Sequence, residues 1–237
     1  MSSIDRRTFV SLGASTLAAL ALSACGGNGQ GQGSSASSST SSTGNESQGG
    51  SATQEAGQIK DGVLVTPYDE GFSEGLHHAT IEVEKYGTIT LELNATNAPI
   101  TVSNFAHLAN QKFYDGLTFH RIIKGFMIQG GDPNGDGIGG SDVKIKGEFS
   151  GNGVVNAIQH KRGVISMARS SANDSGSSQF FIMHEDRSSL DGQYAAFGRV
   201  TKGMEVVDAI AEVPVEDSNG TVAKANQPVI KSIVMDD

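Results

Sequence analysis

Between His78 and Leu93 apolar and polar positions alternate: Ile81 and Val83, then Ile89, Leu91 and Leu93, are separated by Thr or Glu, with Tyr86-Gly87 in the middle. Successive side chains of a strand point to opposite faces, so this period predicts a half-buried antiparallel hairpin over 78–83 and 88–93. The period then changes. In APITVSNFAHLANQ, Val102, Phe105, Ala106 and Ala109 fall at i, i+3, i+4 and i+7, and Pro99 suits a first helical turn, which predicts a helix. Short β-like runs recur at 118–123, 126–129, 164–168, 179–183, 195–200 and 229–235. A second helix is expected over 204–211, with Met204, Val207, Ile210 and Ala211 on one side. Many short strands, Gly-rich connections and two helices predict a closed or nearly closed antiparallel sheet whose openings the helices cover.

The amino terminus obeys a different logic. Paired Arg6 and Arg7 precede an apolar run at 9–22 and then small residues up to Cys25. Basic, apolar and small-residue regions in that order predict an export signal at 1–24, too short for a comfortable membrane span. Arg6-Arg7-Thr8-Phe9-Val10 resembles the twin-arginine signature, with Asp5 and Val10 as imperfect fits. Leu22-Ser23-Ala24-Cys25 resembles the lipobox at which bacterial lipoprotein precursors are cut and lipidated. Residues 26–58 contain no Val, Ile, Leu, Met or aromatic residue, so they cannot offset their chain entropy by burial and are expected to stay disordered. As a Gly/Ser coil this stretch reaches on the order of 30 Å. The expected organisation is a signal at 1–24, a tether at 25–58 with a lipid on Cys25, a transitional segment at 59–75 and one domain at 76–237. That places the protein outside the cytoplasm, anchored by lipid to the bacterial cell membrane.

Charge and cysteine content narrow the function. Cys25 is the only cysteine, so no internal disulfide forms, and once lipidated it is no longer a thiol. The formal charge is −9; removing 1–24 takes away Arg6, Arg7 and Asp5 and leaves −10. An acidic protein is poorly suited to nucleic acid, whose phosphates are met by Lys and Arg. A monomer is expected.

Three motifs fail on inspection. GDGIGG at 135–140 matches G-x-G-x-x-G, but no helix pattern follows and Asp136 would repel a phosphate. DPNGDG at 132–137 opens like a calcium loop, yet Val143 stands where a bidentate Glu is needed, so a plain Gly/Asp turn is expected. Ser, His and Asp are plentiful, including His120 and Ser166, but no G-x-S-x-G elbow is present. His120 is expected as a core histidine bonded to backbone. His77-His78 and His184-Glu185-Asp186 lack metal-ligand spacing.

The apolar stretch FHRIIKGFMIQGGD, 119–132, nevertheless carries Arg121 and Gln129. With a three-residue loop after Ile123, Arg121 would face Gln129 with Met127 on the same side; a two-residue loop would put Ile128 there, and the pattern does not choose. Taken alone, Arg121 fits a structural arginine paired with a carboxylate. In SSQFFIM, Gln179 and Phe181 share one face.

Four runs, NFAHLANQKFYDGLTFHRIIKGFMIQGGDPNGDGIGG, GVISMAR, SSQFFIM and LDGQYAAFGRVTKGMEVVDAI, resemble the cyclophilins, peptidyl-prolyl cis-trans isomerases, in family order from about residue 78 to 235. The resemblance implies an eight-stranded antiparallel closed barrel capped by two α-helices. It makes Arg121 the catalytic arginine, with Gln129 beside it on substrate backbone. It also implies that Phe126, Met127, Phe181 and Leu190 wall a proline pocket, and that Ala168, Arg169 and Gln179 form the strip along which the substrate lies. Three positions depart from the pattern: Arg169 replaces a frequent Asn, Tyr194 a common active-site His, and Ser189 an aromatic residue of eukaryotic members, which weakens the expectation of tight cyclosporin binding. Tyr194 still offers an apolar ring and a hydroxyl donor.

The implied partners are proline-containing polypeptides. Rotation about their X-Pro bonds breaks no covalent bond, so no nucleophile, metal or cofactor is expected. A proline-peptide binding module or chaperone with little turnover is the competing reading, and a structural or adhesive surface domain is a third.

Overall fold

The computed structural model describes residues 57–237. The expected signal, Cys25 and nearly all of the tether lie outside them. Gly57 and Gln58, assigned above to the tether, are bonded to the chain: the Gly57 N–H donates to the Pro67 carbonyl and the Gln58 N–H to Thr66 Oγ1.

Thirteen helices and strands follow: β1 (Ile59–Lys60), β2 (Val63–Leu64), β3 (Leu76–Val83), β4 (Gly87–Asn94), α1 (Pro99–Asn110), β5 (Thr118–Ile123), β6 (Met127–Asp132), β7 (Lys144–Ile145), β8 (Val164–Met167), β9 (Phe180–Met183), β10 (Ala196–Lys202), α2 (Met204–Ile210) and β11 (Ile230–Met235). Eight strands form one antiparallel sheet in the order β11-β3-β4-β10-β8-β9-β6-β5. The hairpin expected from alternation is β3–β4, paired Ile81 to Ile89, and its inward residues Ile81, Val83, Ile89, Leu91 and Leu93 are buried.

The closed barrel expected above is not what forms. The sheet curls through 247° and stays an open half-barrel. Its edge strands β5 and β11 meet only at one corner, where the Phe119 N–H donates to the Pro228 carbonyl and the Ile230 N–H to that of Leu117. Pro228 has no N–H to return, so the ladder does not propagate. Beyond that corner the edge of β5 is taken by a loop: the Ile122 N–H donates to the Gly220 carbonyl, and the Val222 N–H to that of His120.

Helix α1 packs its predicted face, Val102, Phe105, Ala106 and Ala109, into the core. Its N-cap, Ala98, offers no side-chain acceptor. The orphan donors of its first turn are instead met from a distant loop, where Glu148 accepts from the N–H groups of Ile100 (2.9 Å) and Thr101 (2.8 Å) and from Thr101 Oγ1 (2.6 Å). Phe105 touches Tyr114, Phe180 and Phe197 with ring centroids 5.3, 5.7 and 5.4 Å apart. The segment 59–75, open in the sequence reading, packs against this body. Leu64 and Phe72 join the core, Tyr68 stacks on His107 at 4.2 Å, and β2 pairs in parallel with β7.

Five residues form a second, smaller buried cluster: Met127, Val164, Phe181, Met183 and Ala196. They lie on the other face of the sheet from the interior core, as Phe180 and Phe181 illustrate by pointing to opposite sides of β9.

Candidate active site

The β5–β6 hairpin pairs Arg121 with Gln129, Ile122 with Ile128 and Ile123 with Met127. That is the three-residue turn, Lys124-Gly125-Phe126, closed by the Phe126 N–H on the Ile123 carbonyl at 2.9 Å. Arg121 and Gln129 consequently share a side. Arg121 Nη1 donates to Gln129 Oε1 at 3.1 Å, Nε to the Asn219 carbonyl at 2.8 Å and Nη2 to Asn219 Oδ1 at 3.2 Å. All these acceptors are neutral, so the carboxylate-paired structural arginine is not what the geometry gives. Three of five N–H donors are used, which leaves two for a ligand. Burial lowers the guanidinium pKa, and Tyr194 and Asp217 pull it back up.

The amide chain continues. Gln129 Nε2 donates to Gln179 Oε1 at 2.8 Å, and Gln179 Nε2 to the Gly139 carbonyl at 2.7 Å. Both glutamines are thereby fixed in orientation, so the Gln129 oxygen faces the guanidinium.

Beside this polar edge lies a cavity of about 410 Å³ lined by Arg121, Phe126, Met127, Gln129, Ala168, Arg169, Phe181, Leu190 and Tyr194, together with His120 and Asn219. Nine of the ten residues expected around the substrate thus meet in one place. Gln179 is the tenth, and it lines an adjoining cavity of about 350 Å³ that shares Gln129, Ala168 and Arg169. Phe181 meets Tyr194 edge to face at 5.7 Å, and the Arg187 guanidinium lies over Phe126 at 5.1 Å.

Arg169 does not reach outward. Its Nε and Nη2 donate to the Gln193 carbonyl at 2.9 and 2.8 Å, Nη1 to that of Ser170 at 2.9 Å, and its guanidinium lies over Tyr194 (4.7 Å) and Phe149 (5.0 Å). It fixes the Tyr194 ring by a cation–π contact.

His120 is buried, as expected, and its one polar contact is with the Thr118 backbone, too loose in geometry to count as a full hydrogen bond. Burial holds its pKa below the ordinary value against the opposite pull of Asp132. The turn at 132–137 is organised by Asp132, whose oxygens accept from the N–H groups of Asn134 (2.8 Å), Asp136 (3.1 Å) and Gly137 (2.6 Å). Burial alone would raise that carboxyl's pKa; those three donors hold it below the usual range. The turn is the Gly/Asp turn that was expected. Ser166 does contact a histidine, but it is His160, at 3.1 Å, and Ser166 is fully buried.

Asn219, the second anchor of Arg121, is the residue of this cavity that the sequence reading missed. It lies in a turn where Asp217 accepts from the Thr221 N–H (3.1 Å) and hydroxyl (2.9 Å). Gly220 follows with φ 85°, and a Cβ there would strike the Ile122 carbonyl. An Asn-Gly turn was the available signal; nothing local links it to a guanidinium 98 positions away.

The family model for cyclophilin type peptidyl-prolyl cis-trans isomerases matches residues 78–234. Peptidyl-prolyl cis-trans isomerase B of Bacillus subtilis is 46% identical over 140 residues, covering 56% of this chain and 94% of that protein. Peptidyl-prolyl cis-trans isomerase A of Dickeya dadantii is 38% identical over 173 residues, 70% of this chain and 88% of the relative. A crystal structure of a Cryptosporidium parvum cyclophilin type isomerase superposes with a TM-score of 0.61 at 30% identity, over 69% of this chain and 99% of that one; a second crystal structure of it, in the presence of the dipeptide Ala-Pro, gives 0.60.

Proposed function

Because the chain belongs to the cyclophilin-type peptidyl-prolyl cis-trans isomerases and has that activity, we propose that Arg121 carries the catalysis by stabilising the twisted imide of an X-Pro bond in proteins outside the cytoplasm. Rotation about a peptide bond costs ~18–20 kcal/mol because resonance is lost. X-Pro exchange is consequently slow, on the order of tens to hundreds of seconds. In the planar ground state the imide nitrogen's lone pair is delocalised; in the twisted state it is localised and accepts a hydrogen bond. A guanidinium N–H aimed there binds the transition state in preference to the ground state.

The carrying observation is that Arg121 is anchored only by neutral acceptors, Gln129 and Asn219, beside the apolar walls Phe126, Met127, Phe181 and Leu190 of a cavity of mixed lining. Its charge is oriented without being cancelled. One charge-assisted hydrogen bond contributes about 1.5–3 kcal/mol, whereas an acceleration of ~10⁶ needs about 8. The remainder falls to Phe126, Met127, Phe181 and Leu190 holding the proline ring, to Gln129, Ala168 and Gln179 holding the flanking backbone, and to a poorly hydrated, preorganised field.

The solved relative in the presence of Ala-Pro supports proline-containing peptides as the partners of this chain. The site asks for no metal or cofactor, and the net charge of −9 disfavours nucleic acid. We place the protein on the outer side of the bacterial membrane as a monomer held by a lipid on Cys25, which rests on the arginine pair, apolar run and lipobox-like segment of the amino terminus.

Exchange NMR on an X-Pro peptide tests the mechanism: wild-type protein collapses the cis and trans signals, and Arg121→Ala does not at equal concentration. Equal, slow exchange with both would favour a proline-peptide binding module or chaperone. Mass spectrometry of the mature amino terminus tests the anchor, which fails if Cys25 carries no lipid.

A further inference from the structure

His160 lies behind the cavity, ahead of β8, with its side chain wholly buried. Its backbone N–H donates to Asp191 Oδ1 at 2.7 Å, and its ring Nδ1 is 3.0 Å from the same oxygen. A carboxylate oxygen only accepts, so Nδ1 carries the proton, and Nε2 of the neutral ring accepts from the Ser166 hydroxyl at 3.1 Å. The ring also stacks on Phe181, with centroids 6.1 Å apart and planes at 19°. Finally, the His160 carbonyl accepts the Arg187 N–H at 2.8 Å, so both ends of the segment 187–191 are tied to this one residue.

Aspartate, histidine and serine in a row resemble a hydrolase relay, but Ser166 Oγ has no route to a substrate: the residue is fully buried on β8, between β9 and β10 in the sheet. Nor does the arrangement serve volume alone. A leucine or phenylalanine would fill the space without desolvating an imidazole, whereas the imidazole adds two directed bonds. Those bonds join pieces far apart in sequence: β8 through Ser166, the segment carrying Leu190 through Asp191, and, by stacking, Phe181 on β9.

We propose that His160 is a positioning residue for the isomerisation, holding Leu190 through Asp191 and Phe181 through its ring so that the proline cavity keeps its shape before substrate arrives. The proposal rests on Phe181 and Leu190 being walls of that cavity. A cavity that must be reassembled on each binding event weakens ground and transition states alike, so the expected loss is in KM rather than kcat.

The test is exchange NMR with an X-Pro peptide titrated to saturation, each variant assayed well below its melting temperature. His160→Phe keeps a ring against Phe181 but removes both bonds; its KM should rise about tenfold, the net contribution of a lost hydrogen bond, with kcat within about threefold. His160→Asn retains a donor toward Asp191 and should recover most of the KM. A wild-type KM in His160→Phe, or equal impairment of the two variants, overturns the proposal. If His160→Phe does not fold, Asp191→Ala removes the partner from a partly exposed position and should raise KM likewise, and a wild-type value there is equally fatal. Phe181→Ala, run alongside, separates the failures: no effect defeats the cavity assignment and the clamp together, whereas an effect there with none in His160→Phe or Asp191→Ala defeats the clamp alone.

Discussion

Phe180 and Phe181 are consecutive on β9, both nearly inaccessible at 0% and 5%, and they do opposite things. Phe180 faces the interior, with Phe105, Tyr114 and Phe119 rings at 5.7, 5.7 and 6.1 Å. Phe181 faces outward, between His160 and Tyr194, and lines the cavity beside Arg121. Burial alone does not tell them apart; strand parity does. In a curled sheet the concave face encloses a sealed core, while the convex face can carry an apolar surface left incompletely packed. That incompleteness costs stability and is what a proline ring would fill.

The largest expected effect would break the comparison if it were reversed. Phe180→Ala should destabilise the domain by about 3–5 kcal/mol, the range for truncating a packed aromatic, measured by denaturant unfolding. Phe181→Ala should cost clearly less, because its ring already borders a cavity, and should instead weaken peptide turnover. Equal stability losses would show that the outer cluster belongs to the core.

Next in size is Arg121→Ala, which should lower kcat/KM by roughly 10- to 150-fold while circular dichroism and melting temperature stay close to wild type. Arg121→Lys should recover little, since a point charge on a flexible stem cannot hold the Gln129 and Asn219 bonds together. Arg169 sharpens the contrast within the same cavity. Its guanidinium is turned to the Gln193, Ser170 and Ser171 carbonyls and lies over Tyr194, so Arg169→Ala should act by freeing Tyr194 and should cost less than Arg121→Ala in the same assay.

What the sequence disclosed divides along similar lines. Strands β3 and β4 were legible because one face is buried and the other is wet, and α1 because four apolar positions repeat at helical spacing. Residues 119–132 mix apolar and polar positions without a clean alternation, so the β5–β6 register hung on turn length, which only the fold decided. Strands β1, β2 and β7 are two residues long, too short for any period. The half-barrel's open edge depends on Pro228 meeting β5, the cap of α1 on Glu148, and the anchor of Arg121 on Asn219. Each is a contact between segments distant in sequence, and no local pattern encodes it. The cavity residues themselves were found through family resemblance; by periodicity alone Arg121 could equally have been a structural ion-pair partner.

Asn219→Ala tests the smaller of the two anchors. It removes the Nη2 bond but leaves the backbone carbonyl that accepts from Nε, so the guanidinium loses orientation without losing its place. A net hydrogen bond of about 1 kcal/mol corresponds to roughly fivefold in kcat, with KM nearly constant. An unchanged kcat would mean that Gln129 and the carbonyl suffice.

The smallest effect concerns two histidines on the functional side of the sheet. Burial lowers the pKa of both His120 and His160 below the ordinary 6.5, so in each case the unfolded chain binds a proton at a higher pH than the folded one. Stability then rises with pH wherever the unfolded state holds more protons. The two residues therefore leave stability unaffected well above pH 6.5 and reduce it as pH falls from 6.5 toward their folded values, by at most about 1.4 kcal/mol per pH unit for each. For a domain of this size that amounts to a few degrees in melting temperature per unit. Asp132, held below the ordinary 3.8 by backbone donors that outweigh its burial, and Asp191, held there against burial by the His160 N–H and ring, add a further loss only below that value. His120 lines the cavity with only a loose backbone contact to Thr118, whereas His160 is bonded at both nitrogens, so the two are separable by substitution. His120→Phe should flatten part of the slope between pH 6.5 and 5 while raising stability at the acid end, since the replacement has no imidazole to protonate on unfolding. A melting temperature that is level from pH 7 to 5 in the wild type would mean that these rings titrate in the fold as they do in the unfolded chain, and that their burial does not disfavour the charged form.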